Sequence, residues 1–176
     1  MKTKLFIIIL TGLALNLNIL AQKGYAEKIN QFNDKGQKEG LWIEEDKYHK
    51  YFMYYQNDVL NGTYYVINTA KNVLSSLGQY LNGKHYGIWY YFGAFGHLIM
   101  IQKNFKKNDK PIPAEHHAQG TCLYQCYSIS YYPNGNKESE GILLWDESPE
   151  SDFTFEYGEW KYYADTGELI KTKNFK

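Results

Sequence analysis

The chain has 176 residues, with 19 lysines balanced by 19 acids, no arginine, and aromatic side chains at 18% of all positions. A nearly neutral, Arg-free surface argues against a nucleic-acid partner, because phosphate neutralisation and bidentate base contacts favour Arg. Most of the aromatics are Tyr, which buries ring area yet keeps a polar tip and suits half-exposed sheets and interfaces. Leu, Ile and Val are too sparse for a thick two-layer core.

At the N-terminus, Lys2 and Lys4 precede an apolar run from Leu5 to Leu15, and Ile19-Leu20-Ala21 offers a small residue before a cut. Residues 1–21 therefore read as a secretory signal peptide, too short in its apolar core to stay as a bilayer span; an uncleaved N-terminal anchor is the competing reading. No later apolar run is long enough to span a membrane. Removing Lys2 and Lys4 leaves 17 lysines against 19 acids. The expected location is outside the inner membrane: periplasmic, outer-surface or secreted.

Residues 22–31 read as a polar leader. From Phe32 on, turn signals alternate with aromatic, strand-like runs. Asn33 to Gly36 makes a turn and Gly40-Leu41-Trp42 enters a strand. Tyr51 to Tyr55 is a second strand. Asn57-Asp58 and Asn61-Gly62 are turn signals, Thr63 to Ile67 is β-rich, and Asn68 to Asn72 turns again before Val73 to Tyr80. Asn82-Gly83 offers the two positive-φ positions of a tight hairpin turn. Trp89 to Phe92 is an aromatic strand whose alternate members face opposite ways. Gly93 to Gly96 turns, and Leu98 to Ile101 returns. No stretch has a sustained helical period.

Gly40, Gly62, Gly87 and Gly158 each precede an aromatic residue by two: Trp42, Tyr64, Trp89 and Trp160. The first two intervals are 22 and 25 residues and the last is 71, about three such periods. Gly158 to Ile170 aligns without a gap to Gly87 to Ile99, with Gly, Trp, Tyr, Gly, Leu and Ile at matching offsets. Tyr131-Tyr132-Pro133-Asn134-Gly135 is a partial copy. A period of this size implies stacked units, none of which buries its apolar face alone. Two segments interrupt it, at about 106–125 and 146–155, and insertions in such arrays tend to gather on one side and carry binding.

These residues resemble the MORN repeat in its bacterial variant: a Tyr, an Asn-Gly-Lys turn, Gly-x-Trp, two or three aromatics, and a turn ending in Gly. Tyr80 to Tyr91 is the close fit and Tyr157 to Gly167 another, and the resemblance covers most of Phe32 to Phe175. It implies an all-β fold, an elongated antiparallel sheet of successive β-hairpins. It also implies a binding surface for proteins or lipids with no general catalytic residues. Some bacterial members are labelled antitoxins of toxin–antitoxin pairs. A signal peptide departs from a cytoplasmic antitoxin role but is compatible with immunity against an envelope-acting toxin.

Chemistry-bearing clusters are few. His116, His117, Cys122 and Cys126 are the one metal-like group, but adjacent histidines on an extended chain point apart and the spacing fits no common finger. Cys122 and Cys126 are also candidates for a disulfide, which needs a bend between them, since residues four apart on a straight strand are about 13 Å apart. Glu44-Glu45-Asp46 and Asp146-Glu147 read as solvated acids rather than a glycosidase pair, and no nucleophile elbow or phosphate loop is present. No cofactor is expected. The aromatic stripes remain: Trp89, Tyr91 and Trp160 read as cross-strand packing, and the opposite-face rings Tyr90, Phe92, Tyr131 and Tyr163 as candidate binding residues. The expectation is a non-enzymatic, exported interaction or scaffolding protein with a protein partner. A glycan- or wall-binding module and an antitoxin-type protein are the alternatives, and edge strands of an open sheet leave room for a homodimer.

Overall fold

The computed structural model describes residues 29–111, 122–145 and 154–176. The signal peptide, most of the leader, His116, His117, Asp146 and Glu147 lie outside the described residues. Eleven strands form a single open sheet in which each strand pairs antiparallel with its neighbours in sequence. They are β1 Gln31–Phe32, β2 Lys38–Glu45, β3 His49–Gln56, β4 Val59–Asn68, β5 Val73–Leu81, β6 Lys84–Phe92, β7 Leu98–Lys107, β8 Tyr124–Tyr131, β9 Lys137–Trp145, β10 Thr154–Tyr163 and β11 Leu169–Phe175. The expected all-β architecture of successive hairpins is what the chain adopts. Among the described residues no helix is long and apolar enough to cross a membrane.

The turns follow their sequences. Asn82 and Gly83 take φ of 52° and 75°, the doubly positive pair of a two-residue hairpin between β5 and β6, and this geometry matches the twist of the flanking strands. Asn57-Asp58 does the same between β3 and β4. A longer turn recurs at residues 93–97, 132–136 and 164–168. In each, the fourth residue, a Gly, donates its N–H to the carbonyl of the first, and the first donates to the carbonyl of the fifth. The turn from Asn33 to Gln37 closes in the same way.

At Gly62, Gly87 and Gly158 the Gly-x-aromatic signal is a bulge. From Tyr86 to Tyr90 the β6 backbone takes four steps while β5 takes two, from Gln79 to Leu77. Tyr157 to Lys161 on β10 does this against Ile142 to Glu140, and Leu60 to Tyr64 on β4 against Tyr55 to Met53. Gly87 and Gly158 sit in these bulges at φ of 71° and 67°, where a Cβ would be strained. Asn61-Gly62 is therefore not a turn: it lies within β4, as the start of such a bulge.

Other boundaries also move. Gln31 belongs to β1, and Ile29 bridges to Leu41, so the leader already touches the sheet. Lys106, Lys107, Tyr124 and Gln125 are in paired strands, as are Thr154 and Phe155, so both interruptions are shorter than the composition suggested. The disulfide weighed for Cys122 and Cys126 is not made: neither sulfur is bridged, and both side chains are buried. The chain is straight strand from Tyr124 on, which leaves no bend to bring the two sulfurs together.

The apolar core is a row along one face. Trp42, Trp89 and Trp160 are 8%, 2% and 4% exposed, with Met53, Val66 and Cys126 buried nearby. Each indole Nε1–H donates to a carbonyl of the preceding strand: Trp42 to Gln31 at 3.2 Å, Trp89 to Gln79 at 3.1 Å, Trp160 to Ile142 at 2.9 Å. The rings of Trp89 and Trp160 lie flat over Gly78 and Gly141, whose missing side chains make the room. The opposite face buries Ile129 and Leu144. One edge of the sheet is the two-residue β1. The other is β11, with Leu169 and Ile170 exposed and Lys171 and Lys173 along it, charges that oppose unplanned strand addition.

Candidate functional site

Connections from odd to even strands all fall at one end of an antiparallel meander. Both interruptions, after β7 and after β9, are connections of this kind. A cleft of about 370 Å³ opens at this end, lined by Lys84 and His85 at the start of β6, Phe105, Lys106 and Lys107 at the end of β7, Leu123 and Tyr124 at the start of β8, and Trp145 at the end of β9. It lies on the tryptophan face, because His85 packs against Trp89 with ring centroids 4.2 Å apart.

The walls are rings held by one another. His85 stacks on Phe105 at 5.3 Å and 26°. Trp145 meets Phe105 edge-on at 5.6 Å and 89°, and meets Tyr124 at 5.7 Å. Two register positions bring Tyr124 under this group, opposite Lys107 on one side and Trp145 on the other. The bulge at Asn104, with φ 60°, swings Phe105 onto the face it occupies. Lys84 Nζ lies 6.0 Å from the Tyr124 ring centre, within cation–π reach. Lys106 is held by Asp109 at 2.7 Å.

Tyr90, Phe92, Tyr131 and Tyr163 occupy the other face. Register carries that face from Tyr90 through Ile101, Ile129 and Glu140 to Lys161, and strand alternation adds Phe92, Tyr131 and Tyr163 to it. All four are half-buried. Phe92, Tyr131 and Tyr163 end alternate strands and are thus spaced about 10 Å apart, twice the strand separation. They run along the end of the sheet opposite the cleft. Tyr163 is tied down: its hydroxyl donates to Glu140 Oε1 at 2.6 Å, Lys137 Nζ reaches Glu140 Oε2 at 3.0 Å, and Tyr132 donates to the Tyr163 carbonyl.

The cleft was invisible to the periodicity argument because His85, Phe105, Tyr124 and Trp145 come from four strands and share no motif. The one sequence signal was indirect: both interruptions of the period flank it. Among the described residues no three His, Cys, Asp or Glu side chains stand close enough to hold a metal; Cys122 and Cys126 are described, and His116 and His117 are not.

No protein-family model matches this chain, and no curated protein or solved structure matches it.

Several hydroxyl and thiol protons are held tightly. The hydrogen bond to Glu140 pushes the Tyr163 phenol up to about 12. Burial, helped by a bond to Glu156, does the same for Tyr162, and burial alone lifts the Cys126 thiol to about 12. Burial raises Tyr91 as well. Burial would also raise the Glu140 carboxyl, but the bonds from Tyr163 and Lys137 outweigh it and hold the group below its usual range. A raised folded-state pKa means that stability is fully present below the unfolded value and is lost as the group ionises. Folding stability should therefore fall as pH rises from about 10 to about 12. The check is the urea midpoint against pH, with phenolate absorbance followed in parallel. Tyr163→Phe should flatten part of that fall, and a flat alkaline limb in the unmutated protein would contradict the assignment.

Proposed function

We propose that this chain is a MORN-like hairpin array, exported past the inner membrane, that holds a protein partner in the cell envelope and performs no catalysis. The observation that carries this reading is the single-layer sheet, which leaves a row of half-buried rings (Tyr90, Phe92, Tyr131) with no second layer over them among the described residues. Tyr and Phe in such positions offer rigid contact area at low entropic cost. The recurrent turn at residues 93–97, 132–136 and 164–168, with the recurrent Gly-x-aromatic bulge, supports the array. Lys2, Lys4 and the apolar run to Leu15 support export. A partner of the toxin type fits the same surface, and a glycan is the other occupant this face would suit.

The test is capture from envelope extract by the purified protein and by a Tyr90→Ser/Phe92→Ser/Tyr131→Ser variant shown to be folded by its circular dichroism. One protein retained by the first and lost by the second supports the reading. Retention of that protein by the variant, or binding of wall polysaccharide with no protein captured, overturns it.

A further inference from the structure

The cleft at the opposite end has a composition of its own. Among the described residues its walls are His85, Phe105, Tyr124 and Trp145, with Leu123 beside them, and the charged side chains of its lining are Lys84, Lys106 and Lys107, with no acidic one. Lys106 is engaged by Asp109. Lys84 and Lys107 have no carboxylate partner among the described residues. A volume of about 370 Å³ falls in the range of small-ligand pockets. Flat apolar walls with a few placed polar groups are the usual make-up of such pockets.

The chemistry selects among ligands. Lys84 and Lys107, neither paired with a carboxylate among the described residues, repel a cation and reward an anion with charge-assisted hydrogen bonds. The rings reward a flat apolar surface laid against them. A bare inorganic anion would use the lysines and leave the rings idle, and a neutral ring would do the reverse. Phosphate recognition commonly adds Arg forks or free backbone N–H groups, and here the chain has no Arg and the strand backbones are engaged in the sheet. We propose that this cleft binds a small ligand in which a carboxylate is carried on a ring, with the ring against Trp145 and Phe105 and the carboxylate between Lys84 and Lys107. Sugar acids and aromatic acids share this chemistry. The inference is independent of the partner proposed for the opposite face.

The experiment is titration calorimetry on the purified protein at low salt, with 2-naphthoate and digalacturonate as the two acids and 2-naphthylmethanol and galactobiose as their neutral counterparts. At least one acid should saturate with a Kd below about 1 mM, and its neutral counterpart should bind at least about ten-fold more weakly. Which acid binds distinguishes an aromatic from a sugar source. Lys84→Met/Lys107→Met should weaken the acid at least about ten-fold with an unchanged thermal midpoint. Trp145→Ala should weaken acid and neutral compound alike. Saturation by neither acid, equal binding of a neutral counterpart, or an undiminished affinity in the double Met variant would each overturn the proposal.

Discussion

Gly141→Ala is expected to cost about 3 kcal/mol of folding stability, at the upper end of what overpacking does. A Cβ built on Gly141 would stand 2.5 Å from Cγ, Cδ2 and Cε2 of Trp160, and one on Gly78 would stand 2.1 Å from Cδ2 of Trp89. The obstacle is not a flexible tip but the flat of an indole. That indole is pinned by its Nε1–H bond to the residue after the glycine, Ile142 for Trp160 and Gln79 for Trp89. Neither ring can lift without losing that bond and uncovering the row. Gly135→Ala is the control: it has nothing within 4 Å but sits at φ +88°, so it should lose about 1–2 kcal/mol from backbone strain alone. Urea midpoints of Gly141→Ala, Gly78→Ala and Gly135→Ala decide it, with Gly78→Ala expected to behave as Gly141→Ala does. Gly141→Ala/Trp160→Phe should recover part of the loss, because the smaller ring frees space. Gly141 has no positive φ to strain, so a Gly141→Ala cost near zero would mean that the close approach contributes nothing.

Trp89→Ala should cost about 3–5 kcal/mol, a large share of the stability of an ordinary domain. The ring is 2% exposed and has Tyr64, Tyr80, His85 and Tyr91 around it, with centroids between 4.2 and 6.2 Å away. Truncation opens a cavity too well braced to collapse and leaves the Gln79 carbonyl without its indole donor. It also removes the backing of His85, so the cleft should lose its shape along with the core. Phe95→Ala, at a ring 84% exposed on a turn, should change stability by less than about 0.5 kcal/mol. Denaturant unfolding of both variants reads the contrast, and a Trp89→Ala loss near that of Phe95→Ala would show that the tryptophan row is not the core.

The contrast between these two rings was partly legible without coordinates. Trp89 and Trp160 recur at fixed distance after a glycine, which marks them as packing positions, whereas Phe95 occupies a turn. Their hosts were not legible. Gly78 has no turn signal around it, and the aromatic two residues after it, Tyr80, is not the ring that needs the missing side chain; Gly78 matters because a residue 11 positions later lies across it. The same holds for Asn61-Gly62. A dipeptide with strong turn propensity became a bulge, because pairing of Val59–Asn68 with both neighbours outweighs the local preference.

Local chemistry settles a good deal here. Alternating turn residues and aromatics dictate strands, positive-φ residues at Asn82-Gly83 dictate a tight hairpin, and short connections bring each strand beside the last, so a meander of antiparallel hairpins follows from one-dimensional information. The placement of Tyr90, Phe92, Tyr131 and Tyr163 on a common face follows too, since alternation along a strand and regular pairing between strands carry a face across the whole sheet. What required the tertiary structure is everything that depends on how far bulges displace one strand against another. The four-against-two steps at Gly87 and Gly158 seat an indole on a glycine, and the bulge at Asn104 gathers His85, Phe105, Tyr124 and Trp145 into one cleft. A bulge changes which residues are neighbours by a residue or two, and contacts across the sheet are summed over several such shifts, so no single stretch of sequence contains the cleft.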